Sequence, residues 1–182
     1  LLILDRVSVG AITAEDSEFL YTIYASTRTP ELAVVDWSEP QKETFLRAQF
    51  NAQHQAYQRT YQGGDFLVVL RREQPIGRLY LARWEREIRI IDIALLPEHR
   101  SAGIGGAILR NVLSEGARYS KRVSIHVEMF NPARALYERL GVGRTKVHPL
   151  RDLRDGGGGE LGFLVRHLEF ARVPDGLHKL AL

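Results

Sequence analysis

The chain has 182 residues, 45% hydrophobic and 26% charged, with no cysteine, so it has the size and composition of one globular domain and lacks disulfides and thiolate metal sites. No stretch approaches the roughly 20 apolar residues of a membrane span, and Leu1 to Arg6 is too short for a secretory leader. The net charge of +3 comes from scattered basic residues, which suits an anionic ligand and does not make a nucleic-acid surface.

Ile3 to Val9 alternates loosely and reads as a strand. Thr13 followed by Asp16 starts a helix that places Phe19, Leu20, Ile23 and Tyr24 on one face and is expected to end near Arg28, before Thr29-Pro30. Ser38-Glu39-Pro40 supplies an N-cap and an early proline for a second helix through Phe45, Leu46, Gln49 and Ala52 to about Tyr57, ahead of Gly63-Gly64. Asp65 to Leu70 and Ile76 to Arg83 read as strands around a turn at Arg71 to Pro75. After Trp84 to Glu87, Ile88 to Leu95 completes an antiparallel meander. A helix over Gly106 to Tyr119 then leads to a strand over Lys121 to Val127, a β-α-β unit whose strands should be parallel. With a last helix from Asn131 to Gly141, the order predicts an α/β (α+β) fold with a mixed, mostly antiparallel sheet, one parallel pair and helices on both faces. Gly156 to Gly159 favours a loop, and a strand-like run returns only at Leu161 to Phe170.

The segment from Leu95 to Gly106 joins an apolar strand to a helix through a glycine-bearing turn. The first helical turn leaves N–H donors unpaired and carries partial positive charge, the glycines clear side chains from it, and Arg100 adds a full charge. Such a site suits a pyrophosphate. A dinucleotide fingerprint would need glycine where Ile108 stands, and a nucleotide phosphate loop would need Gly-Lys-Ser or Gly-Lys-Thr, which is absent. The plain alternative is a tight turn.

Arg100-x-x-Gly103-x-Gly105 resembles motif A of the GNAT N-acetyltransferase superfamily, and Asn131-Pro132-Ala133-Arg134-Ala135-Leu136-Tyr137 through Gly141 resembles its motif B helix. The resemblance runs from about Ile3 to Val142 and leaves residues 143–182 atypical; the expectation is one acetyltransferase domain over residues 1–182. It implies an acetyl-CoA-dependent N-acetyltransferase acting on a primary amine of a small molecule, protein or peptide, with acetyl-CoA as acyl donor and no metal. It further implies that the main chains of Ile93, Ala94 and Leu95 pair with the pantetheine arm. The pyrophosphate would lie at Arg100, Ser101, Ala102, Gly103, Ile104, Gly105 and Gly106, with Asn131 and Tyr137 also at the cofactor. Tyr137 stands where the family often has a tyrosine that protonates the departing thiolate. Many members have seven positions where this chain has six from Asn131 to Tyr137, a rotation of about 100° on a helix.

Three residues are candidates for the general base, with a water relay as the alternative. Asp92 interrupts the apolar run from Ile88 to Ile93, where a carboxylate among aliphatics would have a raised pKa. His126 and Glu128 share one face of the following strand. Trp37, Tyr57, Tyr61 and Tyr80 are candidates for an acceptor cleft, or equally for core. The histidines show no ligand spacing. A cytoplasmic enzyme is expected, without membrane or nucleic-acid partners and with a homodimer left open. The competing reading is a non-catalytic acyl-CoA-binding module that regulates a partner.

Overall fold

Successive side chains of a strand point to opposite faces, and the apolar residues of the meander use both. The computed structural model describes residues 2–4, 7–125, 136, 139–140 and 143–144. Its strands β1 (Leu2–Leu4), β2 (Val7–Ala11), β3 (Asp65–Arg71), β4 (Gln74–Arg83), β5 (Glu87–Leu95), β6 (Arg122–Ile125) and β7 (Gly143–Arg144) form one seven-stranded sheet in sequence order. Pairing is antiparallel from β1 through β5 and parallel for β5 with β6, as the β-α-β reading requires. The short β7 adds a second parallel pair to the single one expected. The helices are α1 (Ser17–Leu32), α2 (Glu39–Thr60) and α3 (Ile104–Arg118). None of the described helices is long and apolar enough to cross a membrane.

Among the described residues two compact units separate, one ending at Ser26 and resuming at Gly63, the other spanning Thr27–Gln62. In the first, Val69, Leu79, Leu81, Ile88 and Ile90 form a core with Ile104, Ile108, Leu109 and Val112 of α3. The α3 residues recur at helical spacing and face the sheet as one stripe. Val68, Arg78 and Tyr80 alternate onto the opposite sheet face and are also buried, as are Leu20, Tyr21, Ile23 and Tyr24 of α1. Arg83 braces α3, donating from Nε to Glu115 Oε1 at 2.6 Å and from Nη2 to Oε2 at 2.9 Å, and also pairing with Asp65 at the start of β3. In the second unit, Ser38 and Gln41 form the expected capping box, and the ring of Trp37 meets Phe45 edge-on at 5.3 Å.

Several boundaries differ from expectation. The first strand is two, β1 and β2, with an irregular register between Leu2 and Leu4. Helix α1 passes Pro30 and ends at Leu32, because a proline in the last turn removes a single backbone bond. Helix α2 extends to Thr60, β4 begins at Gln74 and β5 at Glu87. Helix α3 begins at Ile104, two residues before the expected start, because Gly103 serves as its left-handed cap. Of the last expected helix, Leu136 and Arg139 are helical; the rest of it, residues 126–127 of the preceding strand, Gly156 to Gly159 and Leu161 to Phe170 lie outside the described residues.

Glu87 ties the parallel pair together. It is only 5% exposed, and its carboxylate accepts from Ser124 Oγ, from Arg122 Nε at 2.7 Å and from Arg89 Nη2 at 3.1 Å. Burial pushes its carboxyl up, but the bonds from Ser124, Arg122 and Arg89 outweigh burial and hold it below the usual 4.5. A depressed carboxyl contributes stability that is present above the unfolded value and lost as pH falls through the folded one. Urea midpoints are therefore expected to hold steady down to about pH 4.5 and fall below it. Glu87→Gln should lower the neutral-pH midpoint and flatten that acid limb; an unchanged limb would remove Glu87 as its source.

Candidate functional site

The end of β5 and the start of α3 are joined by a turn whose backbone is set residue by residue. Pro97–His99 forms a single 3-10 turn with Pro97 at its first position. Arg100 is extended, Ser101 has φ 57° and Gly103 has φ 78°, so the chain enters the left-handed region twice within three residues. Only glycine adopts that region without cost, and Ser101 bears the strain of a side chain there. The first helical bond runs from Ala107 N–H to Gly103 O at 3.0 Å, leaving the N–H groups of Ile104, Gly105 and Gly106 outside the ladder. A Cβ on Gly103 would meet nothing within 4 Å, and one on Gly105 would touch only Leu95 Cδ1 at 4.0 Å. A Cβ on Gly106 would be tighter, 3.4 Å from Arg110 Nη1, so it is Gly103 and Gly105 that leave side-chain room beside unpaired donors at the positive end of a helix of 15 residues.

Arg100 sits in this turn, and its guanidinium is engaged within the protein. Nε donates to Leu95 O at 2.8 Å and Nη2 to Ser26 Oγ of α1 at 3.1 Å. It therefore closes the turn onto the strand it left and fastens the turn to α1. Leu96 N–H donates to Ile76 O at 2.9 Å, so the turn is also held to β4.

Asp92 lies at an irregularity in β5. Tyr80 faces Asp92 while Leu81 faces Ile90, which leaves Ile91 as an extra residue, a bulge beside the segment Ile93, Ala94 and Leu95. The expectation of a carboxylate surrounded by aliphatics is corrected here. Arg78 Nη2 lies 2.6 Å from Asp92 Oδ2, and the side chains are 5% and 18% exposed respectively. Sequence reading missed Arg78, although a charged residue within the run Ile76 to Leu81 requires a partner and Asp92 interrupts the adjacent strand. Tyr80 shares the face, 1% exposed, with its ring edge-on to Phe66 at 4.9 Å. Burial pushes its phenol up to about 12, opposed by the Arg78 guanidinium and aided by the Asp92 carboxylate. Tyr80 is core rather than cleft. Trp37, Tyr57 and Tyr61 belong to the other unit. His126, Glu128, Asn131 and Tyr137 lie outside the described residues.

A family model described as the acetyltransferase (GNAT) family matches residues 23–142. No curated protein matches the sequence at a significant level. Among solved structures, the PaiA N-acetyltransferase of Thermoplasma acidophilum in complex with coenzyme A has 16% identity over 74% of this chain and 87% of its own, with a TM-score of 0.53. RimL, a ribosomal L7/L12 α-N-protein acetyltransferase, has 16% identity over 75% and 76%, with a TM-score of 0.51. A transcriptional regulator of Bacillus halodurans has 15% identity over 78% and 99%, with a TM-score of 0.50. Likeness at these identities concerns the fold.

Removing one member of a buried ion pair costs about 3 kcal/mol or more, because the other charge stays in the low dielectric. Asp92→Asn is therefore expected to lower the unfolding free energy, read from urea titration, by about 3 kcal/mol. Arg78→Met combined with Asp92→Leu, which removes both charges, should recover most of the loss. A double variant no better than the single one would show that the pair is not a buried charge pair in solution.

Proposed function

Because the chain belongs to the acetyltransferase (GNAT) family, and is an acyltransferase by that membership, we propose that it moves the acetyl group of acetyl-CoA to a primary amine of a small molecule, protein or peptide. The observation that carries the donor is the left-handed Gly103 cap, which opens α3 after β5 with three N–H groups outside the helical ladder and room for a Cβ at Gly103 and Gly105. A diphosphate fits there because acceptor oxygens replace the missing intrahelical carbonyls and meet the helix dipole. Acetyl-CoA bound in this way supplies an activated thioester carbonyl.

The chain's own groups do the rest. Main-chain groups of Ile93, Ala94 and Leu95 align the pantetheine arm as an added strand, and the N–H groups from Ser101 to Gly106 hold the diphosphate. Arg100 keeps that turn in shape through Leu95 O and Ser26. Asp92, held by Arg78, takes the proton that the amine must lose, directly or through water; His126 and Glu128 are the alternatives for that step. Tyr137 returns a proton to the departing thiolate, and Asn131 completes the cofactor end.

Free thiol release from acetyl-CoA, screened over amines, polyamines, aminoglycosides and peptide N-termini, tests the reading. Release that depends on one amine class supports transfer. Coenzyme A binding without release under any amine would favour a non-catalytic acyl-CoA-binding module. Gly105→Val keeps the fold, since its Cβ has room and valine is no worse than glycine in a helix, but it fills the cradle. Calorimetry should show about a tenfold or greater loss of coenzyme A affinity, the equivalent of about 1.4 kcal/mol; full affinity would overturn the cradle. Tyr137→Phe is expected to lower kcat by about a hundredfold, the usual scale of general acid catalysis, with coenzyme A affinity retained. Full turnover would leave Tyr137 without a role in proton transfer.

A further inference from the structure

The β3–β4 hairpin has a property that the diphosphate turn does not explain. Its two turn residues, Arg72 at φ 51° and Glu73 at φ 67°, both lie in the left-handed region, where a two-residue hairpin ordinarily uses Asn-Gly or Gly-Gly. A strained turn built from side-chain-bearing residues is a common mark of a functional position. Beside it lies a cavity of about 470 Å³, lined by Arg71, Arg72 and Gln74 of the hairpin and by Leu96, Glu98 and His99 of the segment entering the diphosphate turn. The walls are tied together, since Leu96 N–H donates to Ile76 O at 2.9 Å.

The charges of this cavity are unbalanced. Arg71 and Arg72 stand side by side at its rim, and neither has a carboxylate within salt-bridge distance among the described residues. Two guanidiniums and an imidazole share the cavity with a single carboxylate, Glu98, so it favours an anion. The planar forks of two arginines match the three terminal oxygens of a phosphate monoester.

Resting on the reading of acetyl-CoA as donor, we propose that Arg71, Arg72 and His99 form a phosphomonoester site that holds the ribose 3′-phosphate of coenzyme A. That phosphate stands one ribose away from the diphosphate, and His99 immediately precedes Arg100 of the turn assigned to the diphosphate. The site makes the protein selective for the phosphorylated cofactor. It adds to the turn, whose donors are backbone groups and do not distinguish the two forms.

Calorimetry with coenzyme A and with 3′-dephospho-coenzyme A, on the full chain and on Arg71→Gln, Arg72→Gln and the double variant, tests this. The unaltered chain is expected to bind coenzyme A about tenfold or more tighter than the dephospho form, the scale of charge-assisted bonds to phosphate. The double variant should bring that ratio close to one by weakening coenzyme A alone. Unchanged affinity for the dephospho form reports that the variant is folded with its diphosphate turn intact. A ratio near one in the unaltered chain, a ratio that survives the substitutions, or an equal loss for both ligands would overturn the site. An unaltered chain that binds neither ligand would overturn the donor reading together with it.

Discussion

The position of Leu95 is the constraint on which the site depends. It pairs with Gly77 across the β4–β5 ladder, and a Cβ on Gly77 would lie 2.5 Å from Leu95 Cδ2 and 2.6 Å from Ala94 O. Such a collision with a backbone oxygen has no side-chain remedy, so only glycine lets the two strands close here. The carbonyl of Leu95 then receives Arg100, the next residue's N–H reaches Ile76, and its own side chain lies under Gly105. Strand end, turn and helix start are fixed as one piece, and the donors at the head of α3 are aimed by the fold, without a ligand to arrange them.

Much of this was legible as pattern. The apolar alternation of β3 to β5, the capping signals at Thr13 and Ser38 and the glycine turn after Leu95 each have a local cause, and each element is present, although Thr13 caps a 3-10 turn over Ala14–Asp16 that precedes α1. The differences fall where the cause is not hydrophobic. The head of α3 depends on the left-handed conformation of Gly103, which no periodicity records, so the helix reads two residues short. Pro30 reads as a break because position within a helix, unlike residue type, is invisible to a local rule. Strand β7 has two residues and no apolar alternation to announce it.

The Arg78–Asp92 pair shows a different kind of failure. Asp92 interrupts an aliphatic run, and its own strand offers only aliphatic neighbours. Its decisive neighbour is on the next strand, where Arg78 interrupts an equally apolar run two residues from Tyr80, the residue facing Asp92. Side chains two apart share a face, so a register of the two strands would have brought the charges together on paper. The bulge at Ile91 shifts that register by one residue beyond Tyr80. The candidate base is therefore half of a charge pair, and any substitution of it has a structural effect as well as a chemical one.

The bonds at Glu87 also bear on the order in which the sheet assembles. Strands β3, β4 and β5 follow one another across tight turns at Arg72–Glu73 and Trp84–Arg86, so their closure is inexpensive in chain entropy. Glu87 and Arg122 are 35 residues apart, and all of α3 lies between them. Loop-closure entropy places the meander first and the arrival of β6 later. Until that step the Glu87 carboxylate is hydrated, and its bonds to Arg122 and Ser124 contribute to the barrier against unfolding more than to the rate of folding. The glycine turn after Leu95 is thus the seam between the part of the sheet that forms by local contact and the part that must wait for its partner.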